Sequence, residues 1–198
     1  MTIDQATAYY VFALVAAITP GPSNTMIVAT GSAVGVWRGI PCAFGSAAGM
    51  GSLLFVSALG LGQLVVAQPM LLKALNWGGA VFLLWLAWKI ANAGRVSEIA
   101  NAKPVGFWAA AAFQWINPKG WLVAVSAAGT YLQAVADNAL AQSVAFGALF
   151  FAAALPAGLV WLALGALVHR LLRDDRSART FNVIMALALA ASVVAMLL

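Results

Sequence analysis

Two short stretches place helix-breaking residues beside polar ones inside otherwise apolar sequence: "ITPGPSN" at residues 18–24 and "WINPKGW" at residues 115–121. Pro20 has no N–H for the carbonyl of Ala16, Pro22 has none for Ile18, and Pro118 has none for Gln114. Residues that precede a proline are pushed out of the helical region, so Thr19, Gly21 and Asn117 are the expected break points. A broken helix exposes free carbonyls where its first half ends and free amides where its second half begins. Asn117-Pro118 reads as an N-cap followed by proline in the first turn, and Thr19-Pro20 reads likewise. Amides near Ser23 and Asn24, and near Lys119 and Gly120, would then hold a carboxylate, while the freed carbonyls accept an ammonium group. That combination suits a zwitterion.

Lys119 sits twelve residues from Phe107 and twelve from Tyr131, about 18 Å from either end of its apolar stretch, too deep for easy snorkelling. A mid-membrane lysine lines a polar cavity or neutralises a substrate carboxylate, and its alternative role is to cap carbonyls of a neighbouring helix. Gln114, Asn117, Ser23 and Asn24 could supply further polar contacts to a ligand, or serve as interhelical hydrogen bonds. Trp115 and Trp121 flank the second break, where their faces could meet an ammonium group or simply pack. A proline kink alone often only bends a membrane helix.

The elements that must carry these residues follow from composition. The chain has 198 residues, 64% hydrophobic and only 8% charged, too apolar for a soluble domain of that length. Six continuous apolar stretches, roughly Gln5–Thr30, Pro41–Gly62, Met70–Trp88, Phe107–Tyr131, Leu140–Val168 and Phe181–Leu198, each approach the ~20 residues of a spanning helix. Their continuity argues against strands. The leading "MTIDQATAYY" holds Asp4 and neither Lys nor Arg, so the first stretch reads as a retained helix rather than a signal peptide.

Basic residues set the orientation. Arg38, then Lys89, Arg95 and Lys103, then Arg170, Arg173, Arg176 and Arg179 follow the first, third and fifth stretches, whereas Lys73 alone follows an even-numbered one. The positive-inside rule puts both termini outside. The net charge of +5 is thereby read as topology, with no nucleic-acid partner. Trp37, Trp77, Trp88 and Trp108 fall where indole rings anchor helices at interfaces. Gly31, Gly35 and Gly39, and Gly45 and Gly49, recur at four-residue spacing, which lets helices 1 and 2 approach closely.

The chain also repeats itself. The two proline motifs are offset by 98 residues, and "AFGSAAG" at Ala43 matches "AFGALFF" at Ala145 at an offset of 102. Two tandem three-helix units insert with opposite orientation, because three is odd. Inverted repeats with interrupted helices at matching positions are a transporter signature, with the binding region at the breaks. The expected fold is an all-α integral membrane protein: one transmembrane transporter domain over 1–198, with repeat 1 about 1–95 and repeat 2 about 104–198. Helices 1 and 4 are broken at Pro20/Pro22 and Pro118.

Asp4, Glu98, Asp137, Asp174 and Asp175 all fall in loops or at the terminus, and the single His169 abuts the basic loop. No membrane-buried carboxylate, metal cluster or activated nucleophile can be assembled, so neither an enzyme nor a cofactor is expected. Cys42 is the single cysteine and reads as a small core residue. The basic run "HRLLRDDRSARTF" could bind anionic lipid but is accounted for by topology.

"ITPGPSN", "WGGAVFLLWLAWKI", "KPVGFWAAAAFQWINPKGW" and "FNVIMALALA" resemble the LysE/RhtB family of amino-acid exporters over nearly the whole chain. Within it, "WLAWKIA" and "KPVGFWA" are most similar to cysteine and O-acetylserine exporters. The resemblance implies a small bacterial inner-membrane protein that moves amino acids or their derivatives outward. The family motif would correspond here to Pro20, Gly21, Pro22, Asn24, Asn117, Pro118 and Lys119. The direction of transport comes only from the resemblance. Residue patterns alone leave two other classes, a channel-like facilitator for small neutral solutes and a structural membrane subunit with kinked helices. They also leave the oligomeric state, homo-oligomer included, and the coupling ion open.

Overall fold

Proline and glycine decide where the helices stop. The computed structural model describes residues 1–61, 104–132 and 138–171, with scattered positions between 68 and 91 and between 176 and 191. Among the described residues the regular elements are helical and no strand occurs. They are α1 (Ile3–Ile18), α2 (Pro22–Val56), α3 (Phe107–Ile116), α4 (Pro118–Tyr131) and α5 (Ala139–Leu171), with a π-helical turn over Ser57–Leu61 after α2. Much of the stretches Met70–Trp88 and Phe181–Leu198 lies outside the described residues, as do Lys89, Arg95, Lys103, Arg173, Glu98, Asp137, Asp174, Asp175 and the side chains of His169 and Arg170.

α1 opens on a reciprocal cap in which Gln5 N–H donates to Thr2 Oγ1 and Thr2 N–H to Gln5 Oε1, at 3.2 and 3.0 Å. It ends at Ile18 because Pro20 holds Thr19 extended, at φ −63° and ψ 127°. α2 contains a break of its own. Gly35 has φ 77° and ψ 178°, a backbone region open in practice only to glycine. The sequence reading started the second helix at Pro41; the structure starts it directly after Gly35 and carries it through Pro41, because Gly35 already makes the turn.

Gly35 offers a clean test of backbone strain, since a Cβ there meets nothing within 4 Å. Gly35→Ala is expected to cost on the order of 1–3 kcal/mol. Gly129, inside α4 and equally open, is the control: Gly129→Ala should be neutral or stabilising by about 0.5–1 kcal/mol. Thermal unfolding in detergent compares them, and equal midpoints would mean that the Gly35 turn carries no strain.

Four-residue glycine spacing does allow close helix approach, but not between helices 1 and 2. Gly31 and Gly39 meet Leu162 of α5, while Gly45 and Gly49 meet the Phe107 and Ala111 carbonyls of α3. A Cβ on Gly35 would meet no described residue within 4 Å. Spacing identifies a smooth helix face and leaves its partner unspecified. α5 crosses both halves of α2, with Gly165 against Val28 and Gly51 facing Gly147.

Tyr9 anchors one core cluster. It is fully buried, stacks on Phe146 with centroids 4.1 Å apart, and donates its hydroxyl to the Phe146 carbonyl at 3.0 Å. Leu53, Leu54, Ala124 and Phe150 belong to the same cluster, and a second joins Ile27, Cys42, Ala43, Ala110 and Leu162. Cys42 is therefore a small core residue, touched by Thr30 Oγ1 at 3.6 Å. Trp37, Trp77, Trp88 and Trp108 are exposed, as interface anchors must be.

Among the described residues two helices, Pro22–Gly60 and Ala139–Val168, are long and apolar enough to cross a membrane. α1 and α3, at 16 and 10 residues, fall short of the ~20 required. Each continues past a proline break into the next helix, so the breaks lie within the apolar stretches.

Candidate functional site

At the second break the local sequence folds as its residue types dictate. Asn117 is extended at φ −81° and ψ 112°, ends α3 and caps α4. Its Oδ1 accepts from the Lys119 amide at 3.1 Å, and Pro118 takes the first helical position, where no N–H is needed. The Gly120 amide is paired as well, donating to the Asn117 carbonyl at 2.9 Å. The expectation that amides near Lys119 and Gly120 are free for a carboxylate is therefore wrong, because Asn117 satisfies both.

The first break differs in register. Thr19 closes α1 and does not cap α2; the N-cap is Gly21, without a side-chain bond, and Pro22 is the first helical residue. Two prolines explain the shift, since Pro22 holds Gly21 extended and a helix can begin only after it. The amides of Ser23 and Asn24 lie in the first turn of α2, where the helix supplies no acceptor.

Side chains from both breaks and from α2 then form one polar network. Ser23 Oγ donates to Gln114 Oε1 at 2.6 Å, and Asn117 Nδ2 donates to Ser23 Oγ at 3.1 Å and Gln114 Oε1 at 3.4 Å. Gln114 Nε2 donates to Ser46 Oγ and to the Ala110 carbonyl, both at 3.1 Å. Gln114 is wholly buried, and a buried carboxamide without partners would be costly. Its neighbours are therefore held at fixed positions.

The carbonyls stripped by the first break are also occupied. Asn24 Nδ2 donates to Ala17 O at 3.1 Å and Thr19 O at 2.8 Å. Lys119 Nζ crosses from the second break and donates to Thr19 O at 2.6 Å and Pro20 O at 3.4 Å. Gly21 makes room for this: a Cβ there would stand 3.0 Å from Lys119 Cδ and 3.1 Å from Nζ. Trp121 Nε1 caps the Trp115 carbonyl at 2.7 Å, and the two rings meet edge to face. Both tryptophans are thus engaged with each other at the second break.

A cavity of about 50 Å³ lies among these groups, above the ~10–15 Å³ needed to hold a water. Gly21, Ser23, Asn24, Asn117, Lys119 and Ser46 give it polar walls, and Met50, Val123 and Phe150 apolar ones. Gln114 stands one hydrogen bond behind it, Pro22 and Pro118 are buried, and Thr19 and Pro20 are exposed and present their carbonyls to Lys119. Among the described residues no Asp or Glu lines it. Sequence reasoning missed Ser46, whose only signal was a hydroxyl within the small-residue run "GSAAG".

Residues 14–198 match the family of LysE type translocators. A cysteine/O-acetylserine efflux protein of Salmonella typhimurium (strain LT2) is 31% identical over 189 residues, covering 96% of this chain and 95% of the relative. The protein of the same name from Escherichia coli (strain K12) is 30% identical with the same coverage. No solved structure matches the chain.

Proposed function

The chain belongs to the LysE type translocator family, and we propose that it is a secondary transporter exporting small neutral amino acids or derivatives, of the cysteine/O-acetylserine or threonine/homoserine type. It is a membrane protein, with no strand among its described residues, and a translocator rather than an enzyme. The substrate class is supported by the relatives, named as cysteine/O-acetylserine efflux proteins. The observation that carries the reading is the cavity between two proline breaks, walled by Ser23, Asn24, Asn117 and Lys119. It offers a cationic group and hydrogen-bonding groups, and among the described residues no carboxylate lines it.

The proposed architecture is six spans in two inverted repeats, in the inner membrane of a bacterium with both termini outside. Packing supports the repeat. Phe44 and Phe146 are equivalent at an offset of 102, Tyr9 and Phe107 at 98. Phe44 meets Phe107 with centroids 6.1 Å apart, and Phe146 meets Tyr9 at 4.1 Å. The second helix of each unit thus touches the first helix of the other, as a pseudo-two-fold relation requires.

Efflux of radiolabelled amino acids from loaded cells, with and without a proton gradient, tests the reading. Saturable export of O-acetylserine, cysteine, threonine or homoserine is expected, together with a reporter at Leu198 on the outer face. Unsaturable flux that ignores the gradient would instead indicate a facilitator.

A further inference from the structure

The carbonyls that the site offers to a substrate ammonium already hold one. Lys119 Nζ lies 2.6 Å from Thr19 O and 3.4 Å from Pro20 O, and no carboxylate among the described cavity walls draws it there. What draws it is the backbone polarity left exposed where α1 ends. Gly21 leaves the lysine stem room to lie across the break. The contact also ties the break between α1 and α2 to the break between α3 and α4.

We infer that Lys119 is a tethered stand-in for the substrate's ammonium: it holds the Thr19 and Pro20 carbonyls at rest, yields them to a zwitterion, and then pairs with that ligand's carboxylate. The inference rests on the proposed function and adds the rule by which the site recognises an amino acid. A zwitterion exchanges one ammonium for another and brings the carboxylate that Lys119 needs on release. An amine without a carboxylate would leave Lys119 unpaired beside a second cation, and like charges at that range repel. The zwitterion requirement is thus imposed by a resident cation. Release of Lys119 also removes one of the bonds between the two breaks, so binding loosens the connection that a conformational change must break.

Binding to purified protein in detergent tests this with two matched ligands, serine and its carboxylate-free counterpart ethanolamine. Wild type is expected to prefer serine by about tenfold or more. Lys119→Ala vacates the carbonyls, so ethanolamine binding should rise about tenfold while serine binding falls by a similar factor. Lys119→Met keeps the stem over Gly21 and should show the same inversion, which carries the test if the alanine variant does not fold. Folded variants that gain no ethanolamine binding would overturn the inference and leave Lys119 a structural clamp. Unchanged serine preference in the variants would also overturn it, with the transporter reading intact. If wild type binds neither serine nor O-acetylserine while the variants gain ethanolamine, the proposed function falls and the carbonyls remain an ammonium site that Lys119 occupies.

Discussion

A variant in which Pro20, Pro22 and Pro118 are all alanine is expected to insert normally, to resist heat at least as well as wild type, and to lose export down to background. Each proline costs a continuous helix about 3 kcal/mol, so the sequence pays for its two breaks, and alanine removes that cost. Opposing closure are the contacts that hold the breaks open: the Asn117 cap, Asn24 and Lys119 on the Thr19 carbonyl, and the bonds joining Ser23 and Gln114. Interhelical bonds of this kind contribute about 0.6–1.7 kcal/mol each. Their sum is comparable with one proline and smaller than three. Single replacements should therefore reduce export only in part, Pro118→Ala least, because Asn117 still caps α4. Efflux normalised to membrane-inserted protein measures the series. Full export by the triple variant would show that the prolines merely bend helices.

Both breaks were legible because proline acts locally. A missing N–H and a clash with the preceding residue depend on two or three neighbours, so the ends of α1 and α3 and the Asn117 cap could be placed from sequence. The two-residue shift of the cap at the first break, from Thr19 to Gly21, arose because two prolines compete for the start of α2, and the later one wins. Partners across the bundle were not legible. Lys119 reaches a carbonyl one hundred residues earlier in the chain, and Gln114 reaches Ser46 across 68. The sequence supplies a cation and an acceptor but no distance between them. The glycine faces failed for the same reason: Gly45 and Gly49 mark where a helix can come close, and only packing determined that the helix is α3.

Lysine and arginine are expected to be exported, or to compete for export, about a hundredfold less well than O-acetylserine or threonine. Among the described residues the cavity walls carry no Asp or Glu, and their one charged group is itself a cation. A second positive charge carried to membrane depth without a partner costs at least ~2.5 to 3.5 kcal/mol on lenient insertion scales, and ~1.4 kcal/mol corresponds to a factor of ten. Lys119 adds repulsion, since it can pair with the one carboxylate of any amino acid but has nothing to offer an extra ammonium or guanidinium. Size acts in the same direction, because a cavity of about 50 Å³ accommodates a short side chain more readily than an extended basic one. Competition against labelled O-acetylserine, with lysine, arginine, threonine and homoserine as competitors, measures the preference. Homoserine and threonine should compete and both basic amino acids should not. If lysine or arginine proves the best substrate, the charge argument fails and Lys119 must lie outside the transport path.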